Sequence, residues 1–295
     1  MSELQIRPLT TMAHIEQVRH VQMATWGMAA EETIPPHTLH ALQHHGASLL
    51  GALDGDRVVG FAFAVLGTMD APDETAAAER LKLYSVATGL LPGYQQTGAG
   101  YRLKLAQREF ANRIGVRLIS WTYDPLMSLN GRFNIHKLGG VVSTYHRNFH
   151  GTMSGVNAGL PTDRFEVDWW VASERVQERV LGEKRPLSLA TLLNSGATLL
   201  NPTQFSDHGH PVPPATVNTE GNNSALLVEI PANFTALKTA DFALAQQWRL
   251  HTRTLFETLF HRGYTVTDFV QSTDGQPRSF YLLTQQTQPI ELPMK

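Results

Sequence analysis

The stretch Leu90-Leu91-Pro92-Gly93-Tyr94-Gln95-Gln96-Thr97-Gly98-Ala99-Gly100 carries the reading of this chain. Residues 81–91 alternate in front of it, with Leu81, Leu83, Ser85, Ala87 and Gly89 on one side and Lys82, Tyr84, Val86, Thr88 and Leu90 on the other. That period predicts a strand. Behind it, Leu103, Ala106, Phe110, Ala111 and Ile114 share one face of an amphipathic helix that Gly115 closes. A glycine-rich turn between a strand and a helix presents unpaired backbone N–H groups, and the helix dipole favours an anion there. Gly98 and Gly100 remove Cβ atoms where a ligand would approach the backbone. No Gly-Lys-Ser/Thr ends the turn, so it is not a nucleoside-triphosphate loop, and the third glycine of a dinucleotide-binding turn is missing. A phosphate site and a purely structural turn both fit this much.

Outward from the motif, residues 5–9, 48–53 and 57–66 read as strands, the last two joined by the turn Asp54-Gly55-Asp56. Thr10-Thr11 is placed to cap a helix carrying Ile15, Val18 and Val21, and a second short helix follows Pro35-Pro36. After the motif helix come a strand over 116–123, a helix over 129–138, and strands over 141–145 and 164–171. A charged helix over 174–183 follows. Residues 194–224, rich in Asn, Pro, Gly and Ser, read as irregular. A second pattern then appears: strand 225–230, helix 239–262, strand 265–271, the turn Asp274-Gly275 and strand 278–283.

The 295 residues suggest about two domains. Hydrophobic residues at 42% and charged residues at 17% fit a chain that buries a sizeable core. A net charge of -2 gives no basic surplus, so no nucleic-acid partner is expected. The absence of cysteine excludes disulfides, thiolate metal sites and cysteine nucleophiles and fits a reducing, cytoplasmic setting. No basic region leads into an apolar run at the start, so no secretory leader is expected. The apolar run at 58–66 is far short of the roughly 18 residues that span a bilayer, so no membrane partner is expected. His208-Gly209-His210 and His44-His45 lack metal-motif spacing, and no metal is expected.

Gln95-x-x-Gly98-x-Gly100 resembles the Gln/Arg-x-x-Gly-x-Gly/Ala signature of the GNAT (GCN5-related N-acetyltransferase) superfamily. Farther on, Ile119-Ser120-Trp121-Thr122-Tyr123-Asp124-Pro125-Leu126, then Asn130-x-x-Phe133-Asn134-x-x-Lys137-Leu138-Gly139, is similar to that superfamily's next strand and helix. The combination with Gly-Leu-Pro-Thr-Asp-Arg at 159–164 resembles a group of two-domain acetyltransferases with a Trp-Thr-Tyr-Asp-Pro-Leu element. The resemblance covers roughly residues 4–172. It implies an α/β (α+β) fold of GNAT type: a mixed, twisted sheet flanked by helices, whose fourth and fifth strands splay around a pantetheine arm. Residues 1–172 would form the acyltransferase domain and residues 173–295 a smaller C-terminal α/β domain without an assigned role.

The implied activity is acyl-coenzyme A-dependent transfer of an acetyl or succinyl group to the amine of a small molecule, an amino acid among the candidates. Acetyl-CoA or another acyl-CoA is the co-substrate, and a homodimer is compatible. By carry-over, Gln95 belongs to the motif, and backbone N–H groups of Gln96, Thr97, Gly98, Ala99, Gly100 and Tyr101 would hold the pyrophosphate. Leu90 and Leu91 would pair with the pantetheine amides, and Asn130 and Phe133 would flank the arm. The chain departs from the family at the uncharged Gln96-Thr97, with Arg102 and Lys104 as nearby cations, and at Ile135, where many members carry a tyrosine acid. The rival reading is a non-catalytic acyl-CoA-binding or scaffolding protein.

Acyl transfer to an amine needs a proton acceptor, an oxyanion donor and a donor to the leaving thiolate. Asp124 follows a strand end, where α/β folds place function. It is a candidate base or amine-binding carboxylate, and equally a loop cap before Pro125. Tyr123, Tyr145 and His136 are candidate acids or structural groups, and Tyr84 is a candidate or a packed aromatic. Arg147 and Arg164 are candidate ligands of an acceptor carboxylate or ordinary ion pairs.

Overall fold

A computed structural model describes residues 3–72, 74–151, 159–182, 187–220, 223–273 and 275–285. Contacts along the chain fall into two units, Met1–Trp121 and Thr122–Lys295.

In the first unit the order is β1 (Gln5–Pro8), α1 (Met12–Trp26), α2 (Pro36–His44), β2 (Ser48–Asp54), β3 (Arg57–Thr68), β4 (Leu81–Leu90), α3 (Ala99–Arg113) and β5 (Leu118–Tyr123), which ends just past the boundary. The strands lie side by side in chain order. The first three pairings are antiparallel and β4–β5 is parallel, so the sheet is mixed. Val58 to Ala64 are buried without a break, the mark of a strand covered on both faces. Successive residues of β4 show what covers each face. A Cβ on Gly89 would lie 3.2 Å from Thr25 and 3.3 Å from Trp26 of α1, whereas Leu90 lies against Gly100 of α3. The core joins Ile15, Val18 and Val21 of α1, Leu39 of α2 and Leu103 of α3 to Leu49, Ala52, Phe61 and Phe63 of the sheet. Thr11 takes the N-cap position of α1, but its hydroxyl is spent on His14 Nδ1 at 2.7 Å rather than on a backbone N–H.

The even alternation expected along β4 breaks at Val86. Phe63 pairs with Ala87 but Ala64 with Ser85, so Val86 is an extra residue opposite no partner. This β-bulge moves the pattern onto the other face. Leu83 and Ser85 share the face of Ala64 and α3, whereas Ala87 and Gly89 share the face of Phe61 and α1.

The second unit opens with α4 (Ser128–Gly131), which runs into a π-helical segment, Arg132–Lys137. Then follow β6 (Val141–His146), β7 (Arg164–Trp170), α5 (Glu174–Leu181), α6 (Leu189–Asn194), β8 (Thr198–Leu199), β9 (Gln204–Phe205), β10 (Pro211–Val212), β11 (Ala225–Ile230), α7 (Phe234–Ala240), α8 (Phe242–His261), β12 (Tyr264–Ser272) and β13 (Arg278–Gln285). Its strands run in the order β7-β6-β12-β13-β11-β8, antiparallel except for β8 beside β11. β9 and β10 pair separately, joined by a turn that the Gly209 N–H closes onto Ser206 C=O, with Asp207 and His208 at its centre. Phe165, fully buried, is the hub of an aromatic cluster with Tyr123, Tyr145, Phe256, Phe260 and Tyr281.

Two expectations are corrected. The stretch 194–224 is not wholly irregular, since β8, β9 and β10 lie in it. The single helix expected over 239–262 is two, α7 and α8, parted at Asp241. Asp241 adopts an extended conformation (φ -147°, ψ 94°) and its carboxylate accepts the Leu244 N–H at 2.9 Å. An acidic N-cap satisfies an orphan donor and suits the positive end of the new helix, which outweighs continuing one helix through it. Of the turn expected at Asp274-Gly275, Asp274 lies outside the described residues, as does residue 183 at the end of the charged helix. Among the described residues no helix is long and apolar enough to cross a membrane.

Asp241→Ala is expected to lower unfolding stability by about 1 kcal/mol, and Asp241→Asn, which keeps a capping oxygen, by only a few tenths. Urea unfolding of the three proteins measures the difference.

Candidate functional site

The loop between β4 and α3 is shaped by backbone signs. Gln96 has φ 63° and Gly98 φ 86°, with the intervening Thr97 at negative φ. Alternating signs of φ over successive residues are the pattern from which anion-binding nests are built. Only glycine adopts positive φ without cost; Gln96 does so against its preference, and such strained residues gather at ligand sites. The first bond into α3 runs from Arg102 N–H to Gly98 C=O at 3.1 Å, so the N–H groups of residues 99–101 precede the helical ladder. Residues 95–98 are exposed. A Cβ on Gly98 would meet nothing within 4 Å, so open space lies over the loop.

The loop is anchored from below. Thr97 Oγ1 donates to Tyr94 C=O at 2.7 Å, and Tyr94 OH donates to Asp54 at 2.8 Å. Leu90 C=O accepts from Thr25 Oγ1 (3.0 Å) and from the Gln95 side chain (3.3 Å), and Leu91 N–H donates to Val59 C=O at 2.9 Å. The Leu90 side chain sits between two glycines: a Cβ on Gly60 would lie 2.3 Å from it, and one on Gly100 3.3 Å.

β4 keeps β5 as a neighbour only at Leu83↔Ile119 and Tyr84↔Ser120. Beyond the Val86 bulge it stays paired with β3 as far as Leu90↔Gly60, while its other edge has no strand partner among the described residues of this unit. Such an edge accepts an extended amide-bearing chain much as it would another strand.

Beneath the bulge lies a polar cluster. Lys104, one turn into α3, is 3% exposed, donates to Ser85 Oγ at 2.8 Å and stands 3.9 Å over the Trp121 ring. Ser85 donates in turn to Gln107 Oε1 at 3.1 Å. Burial drives the Lys104 pKa down to about 7.

The remaining candidates lie in the second unit. Asp124 splits its oxygens: Oδ1 accepts the Leu126 N–H at 2.9 Å, the loop-capping bond, and Oδ2 receives Arg249 Nη2 at 2.5 Å with Arg164 Nη1 at 3.8 Å. Tyr123 OH donates to Tyr281 OH at 3.2 Å, and Tyr281 donates to Pro125 C=O at 2.9 Å. Burial pushes the Tyr123 phenol well above its ordinary pKa. Tyr145 OH donates to Asp163 Oδ2 at 2.7 Å, and burial with the nearby Asp163 charge raises its pKa too. Burial alone would raise the Asp163 pKa, but hydrogen bonds from Arg253, Tyr145 and the Asn148 N–H outweigh it and hold the carboxyl below the usual range. His136 bonds Asp268 at 3.1 Å beside Arg179. Arg147 pairs with Glu257 at the surface. Asn130 is exposed on α4, Phe133 is half-buried on the π segment, and Ile135 is fully buried. The structure thus gathers Asp124 and Arg164 around one pocket and leaves Tyr123, Tyr145 and Arg147 in separate networks.

That pocket, of about 110 Å³, is also lined by Lys238 of α7 and Arg249 of α8, neither singled out by the sequence reading. A signal for Arg249 existed: it falls in the apolar stripe of α8 with Ala245, Trp248, Thr252 and Phe256, where a cation is costly without a purpose.

No protein-family model and no curated protein matches the chain. Solved structures to which it is similar include yncA from Salmonella typhimurium with its cofactor acetyl-CoA, at 17% identity and TM-score 0.46 over 59% of this chain and 96% of that one. Another is an N-acetyltransferase from Staphylococcus aureus Mu50, at 12% and 0.46 over 58% and 99%. A third is paia N-acetyltransferase from Thermoplasma acidophilum in complex with coenzyme A, at 17% and 0.40 over 56% and 98%.

Lys104 gives a signed pH prediction. Between about 7 and 10.5 the unfolded chain keeps a proton on this amine that the folded chain has released, so stability rises with pH across that window. Below it both states are protonated and the folded state carries the whole cost of a buried ammonium. Lys104→Met is expected to stabilise most below the window, with the gain fading toward its upper end. Urea unfolding at both ends reads this.

Proposed function

We propose that the chain is an acyl-coenzyme A-dependent N-acyltransferase of GNAT type, its acyltransferase domain spanning residues 1–172 as the resemblance implies. The observation that supports this is a single strand–loop–helix unit: β4 bulged at Val86, its edge without a strand partner among the described residues beyond Tyr84↔Ser120, leading into the loop at 96–98 and the start of α3. The loop at 96–98 and the start of α3 fit a diphosphate, and the open space over Gly98 leaves room for it. The β4 edge fits the amides of a pantetheine arm. The loop has no cation of its own at Gln96 and Thr97, so backbone N–H groups and the helix dipole carry the attraction.

The thioester would supply the activated acyl carbon. The chain's own part is to hold donor and amine in register, which can supply much of the rate. The acceptor would be a small-molecule amine, with the acyl group acetyl or succinyl. The lack of cysteine supports a reducing, cytoplasmic setting.

One observation favours the second reading, a non-catalytic acyl-CoA binder. Ile135 is buried where an acid would be expected, and the Tyr123 and Tyr145 hydroxyls are already donated to Tyr281 and Asp163.

Calorimetric titration with coenzyme A, acetyl-CoA and succinyl-CoA tests the proposal, with Gln96→Asp alongside. Aspartate tolerates positive φ, so the variant keeps the fold while placing a carboxylate among the N–H groups. The expected result is saturable binding to wild type, weakened about tenfold or more in the variant with an unchanged melting temperature. No binding to wild type overturns the reading. Steady thiol release with a panel of amines supports the enzyme; binding without turnover supports the binder.

A further inference from the structure

We infer that the second unit carries a binding site of its own for the oxyanion end of a small molecule, a carboxylate or a phosphate, built from Arg164, Lys238 and Arg249 around Asp124. The inference goes beyond acyl transfer and holds whether or not the loop of the first unit binds a thioester.

Two arginines, Arg249 and Arg253, stand one turn apart on α8. Arg253 grips Asp163 with both Nε and Nη2 at 2.8 Å, and Tyr145 and the Asn148 N–H complete that carboxylate's shell. Arg249 is placed alike, yet its shell is incomplete. Its side chain is 2% exposed and makes one hydrogen bond, from Nη2 to Asp124 Oδ2. Its Nε and Nη1 are buried and have no partner among the described residues. Asp124 meets only Nη2 of this guanidinium; its Oδ1 accepts the Leu126 N–H and its Oδ2 stands 3.8 Å from Arg164 Nη1.

A buried guanidinium with unmet donors is costly, and such a group in a native protein calls for a missing partner. The pocket beside it shows the sign of that partner. Arg164, Lys238 and Arg249 line it together with Asp124. Lys238 belongs to the same field: burial lowers its pKa, the Asp124 charge opposes that and the Arg249 charge adds to it. An entering oxyanion would supply acceptors to the unmet donors of Arg249. Met127, Leu160 and Phe234 supply apolar walls, so the ligand would join its anionic end to a small apolar body. A water needs roughly 10–15 Å³ of such space, and 110 Å³ holds a group of several heavy atoms.

The test is calorimetry on the full chain with inorganic phosphate, succinate and L-glutamate, each against wild type, Arg164→Gln, Lys238→Gln and Gln96→Asp. Arg249 is left intact because its loss would unpair Asp124. The expected result is saturable binding of one oxyanion class, weakened about tenfold or more in each pocket variant and unchanged in Gln96→Asp. Preference for phosphate or for carboxylate tells the two sources apart. Melting curves certify that the pocket variants are folded; should Arg164→Gln unfold, Lys238→Gln carries the test alone. The inference is overturned if no oxyanion saturates the protein, if folded pocket variants bind like wild type, or if binding is lost in Gln96→Asp instead, which would place the anion at the loop of the first unit.

Discussion

A strand that loses its neighbour part-way along must still find partners for its backbone groups. β4 meets this constraint where its pairing with β5 stops at Tyr84↔Ser120. Much of the first unit can be understood from there. The bulge at Val86 bends the strand at the point of parting. Thr25, Gln95 and Val59 anchor Leu90 and Leu91 as the chain leaves the sheet. Gly60 and Gly100 let the Leu90 side chain lie flat between β3 and α3. The loop that follows is strained at Gln96 yet held by the bonds of Tyr94, Gln95 and Thr97.

The second unit manages buried charge in place of missing backbone partners. Asp124 and Asp163 stand beside strands of one unit and face arginines one turn apart on α8. One pair is saturated with hydrogen bonds. The other leaves donors unused next to open space. Since breaking a buried pair costs more than forming it gains, the incomplete pair is the more informative of the two.

How far these features were legible in the sequence depends on whether local chemistry or distant packing decides them. Gly98 and Gly100 mark the loop because few arrangements need two glycines before a helix. Gln96 gave no such mark, since its positive φ is imposed by the turn around it. The period-2 run across residues 81–91 concealed the bulge, because alternation in sequence says nothing of which residues find a partner. Asp241 was hidden by apolar spacing that continues across the break. For Asp124 both readings were open, and the structure shows the capping bond to Leu126 beside the pairing with Arg249. Lys104 and Arg249 sit in helical stripes that otherwise read as core, and only the tertiary fold reveals that each faces a polar neighbour.

The bulge also has a bearing on descent. Replacing Val86 by any other residue leaves the count of β4 unchanged, so Ser85 still faces α3 and Gly89 still faces α1. Losing one residue between 85 and 87 would make the ladder flush and take away the kink that accompanies the parting of β4 from β5. In this strand the heritable quantity is length rather than composition, and a comparison of related chains that scores substitutions but closes up gaps would pass over the one change to which the loop is most exposed.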